Sequence, residues 1–171
     1  CQDNEINWQN WHRTDWQDNL MDFTAFLIRL RQEHKVFQRS GYLRGEPQDF
    51  VHVPDIAWLR ADATRFDNTD WESFDTRSIG MYLGGGVTNR KKEYDVVDNA
   101  FYWFLNSSDK PVDVTLPPGS FGLKYQLMFN TEDEQDWEKQ DEIDAGTVIT
   151  LAPWSSALWM VTLLSIATPP K

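Results

Sequence analysis

One change of periodicity constrains the fold of this chain more than any other feature. From Trp16 to about His34, apolar residues recur at every third or fourth position, as they do on one face of an α-helix. Thr14 and Gln17 fit a capping box at the start of this segment. After about residue 40 the apolar residues form short stretches that turn residues separate. One long helix followed by many short strands predicts a mainly β fold, an antiparallel sandwich or barrel.

Seven stretches are predicted to be strands: Asp55–Arg60, Ser78–Leu83, Ala100–Asn106, Pro111–Leu116, Tyr125–Phe129, Val148–Leu151 and Ala157–Leu164. The last of these is nearly continuous in apolar residues, which is typical of a central strand that is covered on both faces. Gly84–Gly86 lacks the spacing of a phosphate-binding loop and is interpreted as a hairpin connection.

The predicted helix is apolar over much of its circumference. Its main apolar face consists of Trp16, Leu20, Phe23, Leu27 and Leu30. Phe26 and Ile28 widen that face, so the helix needs a partner surface. This partner is either one face of the sheets or a body outside the chain. Because the chain opens at Cys1, inside a polar segment and without a methionine, we expect a fragment of a longer protein.

Composition argues against several classes of function. Sixteen Lys and Arg stand against 27 Asp and Glu, and the resulting net charge of −11 disfavours binding to nucleic acid or to an anionic membrane. One cysteine and three scattered histidines provide neither a disulfide framework nor a zinc-ligand spacing. The sequence contains no apolar run of the roughly 18 residues that a membrane span needs, and its first residues lack the pattern of a signal peptide. We therefore expect a cytoplasmic chain without metal or cofactor.

Carboxylates are concentrated between Glu132 and Asp144, where eight acidic residues lie close together. Their mutual repulsion favours a solvated loop over a weak calcium site or a catalytic pair. Glycoside hydrolysis requires one carboxyl of raised pKa and a second about 5 to 9.5 Å away. Cys1 has no evident catalytic base. We assign no catalytic residue in this chain.

Aromatic residues are abundant, with 9 Trp, 10 Phe and 5 Tyr. Sugar-handling proteins often combine many aromatic residues with an acidic composition, although the same residues also fill β-sheet cores. Three tryptophans lie beside polar residues and turn signals, where a stacking platform for sugar rings can form: Trp71, Trp137 and Trp154. Three others lie inside predicted strands, where core packing is favoured: Trp58, Trp103 and Trp159.

Several segments resemble one enzyme family. The opening Cys1-Gln2-Asp3-Asn4-Glu5, followed by Trp8 and Trp11, resembles the bacterial glycogen debranching enzymes and isoamylases of glycoside hydrolase family 13. The helix is similar to that family at Phe23, Thr24, Leu27, Ile28, Leu30, Arg31 and His34. Lys35 departs from it, because the family usually has proline there. Further landmarks are Asp55–Leu59, Asp70-Trp71 and Arg77-x-x-Gly80-x-x-Leu83-x-Gly85.

The resemblance implies a division of the chain. Residues 1–38 would be the last loop and helix of a catalytic (β/α)8 barrel, and residues 39–171 would form a C-terminal antiparallel β-sandwich. The family's catalytic carboxylates lie on upstream barrel strands, so none is carried over to this chain, which we expect to be inactive alone. The parent enzyme would hydrolyse α-1,6 branch points of glycogen or starch without a redox cofactor. Its partners would be an α-glucan and the missing barrel.

The predicted function is that of a C-terminal segment of a debranching hydrolase, which caps the barrel and contributes glucan contact. The candidate contact residues are Asp3, Asn4, Trp71 and Trp137. By the resemblance, Asp3 and Asn4 lie on the face where barrel active sites are built and either reach an outer glucose subsite or fix the loop. The alternative function is a stand-alone β-sandwich module that binds α-glucan by tryptophan stacking. The module requires exposed indole rings, whereas the cap requires buried ones.

Overall fold

The computed structural model describes residues 2–8, 10–47, 53–87, 96–132 and 142–162. The predicted helix is confirmed as α1 (Asp15–Glu33), and a short 3-10 helix, Lys35–Gln38, follows it. The backbone N–H of Thr14 donates a hydrogen bond to Gln17 Oε1 at 2.9 Å, as the capping box predicted. A second helix, α2 (Asn68–Glu72), is too short to produce a periodic pattern and was not predicted.

Ten strands lie within the described residues: β1 (Ile56–Leu59), β2 (Ser78–Leu83), β3 (Gly86–Val87), β4 (Val96–Val97), β5 (Ala100–Asn106), β6 (Val112–Thr115), β7 (Lys124–Asn130), β8 (Glu142–Asp144), β9 (Val148–Leu151) and β10 (Ser155–Thr162). The seven predicted strands are confirmed, each to within two residues at its ends. The three that were not predicted, β3, β4 and β8, have only two or three residues each. Such strands are too short for an alternating pattern to be recognised.

The larger sheet has the strand order β1-β2-β5-β10-β7-β8, and all its neighbouring strands are antiparallel. β10 lies between β5 and β7, so the prediction of a central last strand is confirmed. β6 and β9 form a separate two-stranded antiparallel sheet. β3 and β4 pair as a short ladder beside the larger sheet, which agrees with a hairpin connection after Gly84.

The two sheets enclose the main core, and this arrangement confirms the predicted β-sandwich. The larger sheet contributes Tyr82, Tyr102, Phe104, Tyr125 and Trp159, all buried. The smaller sheet and the segment after β6 contribute Val114, Leu116 and Leu151. Tyr102 and Trp159 stack with their ring centroids 5.8 Å apart. Because each large side chain stabilises the fold by about 1.5–3 kcal/mol when buried, these aromatic residues account for much of the stability.

The opposite face of the larger sheet packs against the C-terminal half of α1. Leu30, together with Val36 of the 3-10 helix, belongs to a second buried cluster with Leu83, Phe101, Phe129 and Leu158. Phe23 meets Phe129 edge-on, with ring centroids 5.4 Å apart. The helix therefore lies on one face of the sandwich. Its N-terminal half leaves large apolar side chains exposed, so the sheet covers only part of the apolar surface.

Asp98 joins the end of α1 to the sandwich by polar contacts. One carboxylate oxygen accepts a hydrogen bond from the backbone N–H of Val36, and the other lies at hydrogen-bonding distance from His34 Nδ1, both at 2.9 Å. Phe101 packs edge-on against the His34 ring, with centroids 4.8 Å apart. Gly85 makes the approach possible, because a Cβ there would collide with the carbonyl oxygen of Asp98. The direction in which the helix leaves the sheet is thus fixed.

Gly80, another landmark of the resemblance, is required by the packing of the core. It lies in β2 opposite the ring of Tyr102. A Cβ at this position would lie 2.6 Å from Tyr102 Oη and 2.8 Å from Cε2 of the same ring. Real Cβ atoms essentially never approach other atoms this closely. The glycine therefore provides the space that the buried tyrosine occupies.

We predict that Gly80→Ala destabilises the chain by about 1–3 kcal/mol, because the added methyl group overpacks the core against Tyr102. Gly41→Ala is the matched control, since a Cβ there meets nothing within 4 Å. The control should stay within about 0.5 kcal/mol of the parent chain. Urea unfolding measures both free energies. Equal values for the two variants would contradict this account of Gly80.

We predict that Asp98→Ala lowers the free energy of unfolding by about 1–3 kcal/mol, because it leaves the N–H of Val36 and the ring of His34 without their acceptor. Asp109→Ala changes an exposed aspartate and is the control. Hydrogen exchange should show faster exchange at the C-terminal end of α1 only in the Asp98 variant. Unchanged protection there would show that apolar packing alone positions the helix.

Candidate functional site

Trp71 lies in α2 within a group of three aromatic residues at the edge of the larger sheet. Its ring meets Trp58 of β1 edge-on at a centroid distance of 5.6 Å, and meets Phe66 at 5.2 Å in a tilted arrangement. The backbone N–H of Phe66 donates to the carbonyl of Trp58 at 3.0 Å, which joins the two supporting residues. Trp71 nevertheless remains 55% exposed. We call these three residues the Trp71 cluster.

The N-terminus of α2 is closed by a reciprocal capping box. Asp67 Oδ1 accepts hydrogen bonds from the backbone N–H of Thr69 at 2.7 Å and from that of Asp70 at 3.3 Å. In return, the backbone N–H of Asp67 donates to Asp70 Oδ2 at 2.7 Å. The hydroxyl and backbone N–H of Thr69 are the main reasons that the pKa of Asp67 falls to about 2. Asp67 is therefore ionised at neutral pH.

Arg60 connects the end of β1 to this helix. Its Nε donates to Asp70 Oδ1 at 2.9 Å, and one terminal nitrogen, Nη2, contacts both Asp67 Oδ2 at 2.7 Å and Asp70 Oδ2 at 2.6 Å. The remaining terminal nitrogen donates to Thr64 Oγ1 at 3.1 Å and to the carbonyl of Arg65 at 2.8 Å. The hydrogen bond to Asp70 is the main reason that the pKa of Arg60 is raised. The ion pairs hold α2, and with it Trp71, against β1.

Asp3 and Asn4 lie in an exposed turn near the start of the chain. Asn4 Oδ1 accepts the backbone N–H of Ile6 at 3.1 Å, and the Asn4 carbonyl accepts that of Asn7 at 2.9 Å. Asp3 Oδ1 accepts the indole N–H of Trp8. Both residues therefore fix their own loop, one of the two roles left open by the sequence. Among the described residues, they share no hydrogen bond with the Trp71 cluster.

The other aromatic candidates have different outcomes. Trp137 lies outside the described residues, as does most of the acidic segment around it. Trp154 is 72% exposed in the turn between β9 and β10. The core prediction is correct for Trp159, which is fully buried. Trp103 is half buried and packs against the second buried cluster. Trp58 is half buried and belongs to neither cluster, so the prediction is wrong for it. Trp58 and Trp103 both project from the face that α1 covers incompletely.

Sequence reasoning identified Trp71 but missed the residues that hold it. Trp58 was assigned to the core, and no role was assigned to Arg60, Asp67 or Phe66. One local signal was present, because Asp67 and Asp70 have the spacing of a capping box. The contacts of Arg60 with both aspartates depend on how the chain turns back after β1, which no local pattern reveals. The structure thus brings together a fixed, exposed indole and a border of ionised side chains, a combination suited to binding.

Within the described ranges, the structure contains no group of three or more His, Cys, Asp or Glu side chains that is arranged to hold a metal ion. In the same part of the chain, the helices are too short or too polar for one of them to cross a membrane.

Comparison with known proteins identifies relatives of one kind. No family profile matches the chain. A glycogen operon protein GlgX homolog from Mycobacterium tuberculosis strain H37Rv is 29% identical over 136 residues, which are 78% of this chain and 19% of the relative. The glycogen debranching enzyme of Dickeya chrysanthemi is 36% identical over 142 residues, or 82% of this chain and 18% of the relative. That of Escherichia fergusonii is 26% identical over 121 residues, 71% of this chain and 15% of the relative.

The matches confirm the resemblance that the landmark residues indicated. They extend over most of the chain, but the chain spans less than a fifth of the length of these relatives. The family is therefore established for this segment, whereas the activity of a whole relative is not thereby assigned to it. The chain belongs to the family of the glycogen debranching enzymes and corresponds to a segment of such a protein.

Proposed function

We propose that this chain is the C-terminal part of a hydrolase that removes α-1,6 branches from a glycogen-like glucan, and that it caps and stabilises the catalytic barrel of that enzyme. The names of the relatives support the choice of substrate. The observation that carries the capping role is the uncovered apolar surface of α1. The chemistry of hydrolysis would belong to the barrel, and no residue of this chain is assigned to it.

The uncovered apolar surface extends along both halves of α1. Trp16 is 59% exposed, Leu20 53% and Ile28 54%, and Leu27 is also exposed. A large apolar side chain that remains in water forfeits about 1.5–3 kcal/mol relative to a buried one. A contiguous patch of such residues is typical of an interaction surface. A helix that packs on the sandwich by one side and remains apolar on another is suited to lie between two bodies.

The length of the relatives supports a barrel as the second body. The chain matches 15–19% of each, so about four fifths of a relative lies outside the matched segment. A (β/α)8 barrel needs about 250 residues, and its outer layer consists of helices. In the proposed division, residues 1–38 complete the barrel and residues 39–171 form the sandwich. The contacts of Asp98 with His34 and Val36 would then transmit the position of the sandwich to the last barrel helix.

Glucan contact is a second part of the proposal. Asp3 and Asn4 would lie at the barrel face and reach an outer glucose subsite only when the barrel is present. Trp137 remains a candidate contact. The alternative of a stand-alone carbohydrate-binding module is favoured by one observation, the exposure of Trp71 and Trp154. The uncovered helix favours the cap, because an independent module has no use for such a surface.

We predict that the chain alone self-associates through α1 and that a double variant, Leu20→Glu with Leu27→Glu, is monomeric. Both side chains are exposed, so the substitutions remove apolar surface without disturbing the core. Gln32→Glu adds a charge at an exposed position of the same helix and should associate like the parent chain. Light scattering over a range of concentrations measures the change. A monomeric parent chain with strongly protected amides throughout residues 16–34 would contradict the cap.

The enzyme itself is tested by a chimera in which this chain replaces the matched segment of the Dickeya chrysanthemi enzyme. The chimera should release reducing ends from a branched glucan, whereas this chain alone should release none above background. Introducing Leu20→Glu and Leu27→Glu into the chimera should lower its melting temperature, and Gln32→Glu should not. A folded but inactive chimera, or activity of the chain alone, would refute the proposal.

A further inference from the structure

We propose that the Trp71 cluster binds a linear α-1,4-linked glucose chain, with the exposed part of the Trp71 indole stacked on the apolar face of a glucose ring. The identity of the sugar rests on the proposed function. The location of the site rests on the geometry of Trp58, Phe66 and Trp71. No residue of the site is assigned to catalysis, so it would anchor the polymer without cleaving it.

The indole of Trp71 is held in place by its neighbours. Trp58 and Phe66 pack against the ring, and α2 is fixed at its N-terminus by the capping box of Asp67 and Asp70. Arg60 binds both of these carboxylates. Trp71 is therefore supported by two rings and still 55% exposed. An indole that is already immobilised loses little conformational entropy when a ligand stacks on it.

Arg60 and Asp67 differ in their remaining capacity for hydrogen bonds. All five N–H groups of Arg60 are accounted for by Asp67, Asp70, Thr64 and Arg65, so Arg60 acts as a positioning residue. Asp67 Oδ1 already accepts from the hydroxyl and backbone N–H of Thr69 and from the backbone N–H of Asp70. Among the described residues, Oδ2 accepts from Arg60 alone, so it keeps about one lone pair free. The Asp67 side chain is 58% exposed. Its Oδ2 can therefore accept a hydrogen bond from a sugar hydroxyl.

A sugar ring suits the Trp71 cluster better than an apolar protein surface does. A partner that covered the Trp71 cluster with apolar side chains would have to remove water from Asp67 and Arg60, which is costly for ionised groups. A glucose ring has an apolar face and a border of hydroxyls, so it can contact the indole and the carboxylate together. The exposed stripe on α1 differs, because it presents apolar side chains, among them Trp16, Leu20, Leu27 and Ile28. The two surfaces are therefore suited to different partners.

Trp154 provides a matched control within the same chain. It is more exposed than Trp71, at 72% against 55%. Among the described residues, however, its ring makes no contact with another aromatic ring. Its backbone N–H donates a hydrogen bond to the carbonyl of Ser108 at 3.2 Å. If exposure of an indole were sufficient, Trp154 would contribute at least as much as Trp71. If a supported ring with a carboxylate border is required, only Trp71 contributes.

The experiment titrates the 171-residue chain with maltoheptaose and follows the indole N–H signals by NMR. We expect roughly millimolar affinity, as suits one stacked ring. Trp71→Ala should weaken binding about 5- to 10-fold, Trp71→Phe should weaken it less, and Trp154→Ala should leave it within about twofold. Since Trp71→Ala removes packing against Trp58, the milder Phe variant and the signals of the unmodified chain keep the test valid if the Ala variant misfolds.

Cellohexaose, a β-1,4-linked glucose chain of similar chemistry, is the control ligand and should bind more weakly. Equal binding of the two sugars would overturn the assignment to α-glucan. Full retention of affinity in Trp71→Ala, or no shift of the Trp71 signal at the solubility limit of maltoheptaose, would overturn the site. These measurements need no barrel. An inactive chimera with normal binding of maltoheptaose would therefore reject the capping function and keep the site. An active chimera without binding at Trp71 would reject the site and keep the capping function.

Discussion

The structure depends on covering both faces of one six-stranded sheet. β10 lies in its interior, and the residues of this strand alternate between two buried clusters, with Trp159 in one and Leu158 in the other. The two-stranded sheet of β6 and β9 covers the first face, and the C-terminal half of α1 covers part of the second. Because an apolar sheet face cannot remain in water without loss of stability, the helix is a structural part of the sandwich as described.

The same constraint explains the conformation between α1 and the sheet. Leu30 and Val36 lie on the second face only if the chain turns sharply after Glu33. Asp98 stabilises that turn by accepting the N–H of Val36 and contacting His34, and Gly85 lets the two segments approach. A family landmark such as Gly85 therefore has a physical explanation in close backbone packing. The proposed transmission between sandwich and barrel would use this joint.

Two apolar features of the described surface differ in character. The exposed stripe of α1 includes Trp16 and several aliphatic side chains. It adjoins the part of the helix that is packed against the larger sheet. The helix that carries Trp71 is held by Arg60, Asp67 and Asp70, which form ion pairs with one another. A wholly apolar partner suits the stripe, whereas a ligand with both apolar and hydroxyl surfaces suits the cluster. A cap and a glucan contact can therefore coexist in one segment.

Local sequence patterns were sufficient to predict α1 with its capping box, the seven longer strands, the central position of β10, and the family. They could not determine the pairing of β6 with β9 as a second layer, or the incomplete burial of Trp58, which lies in an apolar stretch like that of a core strand. Only the tertiary structure brought Asp98 to His34, 64 residues away, and Arg60 to the two aspartates of α2. The reason is physical. Periodicity reports which side of an element is apolar, but burial and ion pairing depend on which distant residues meet it, and the folded chain decides that.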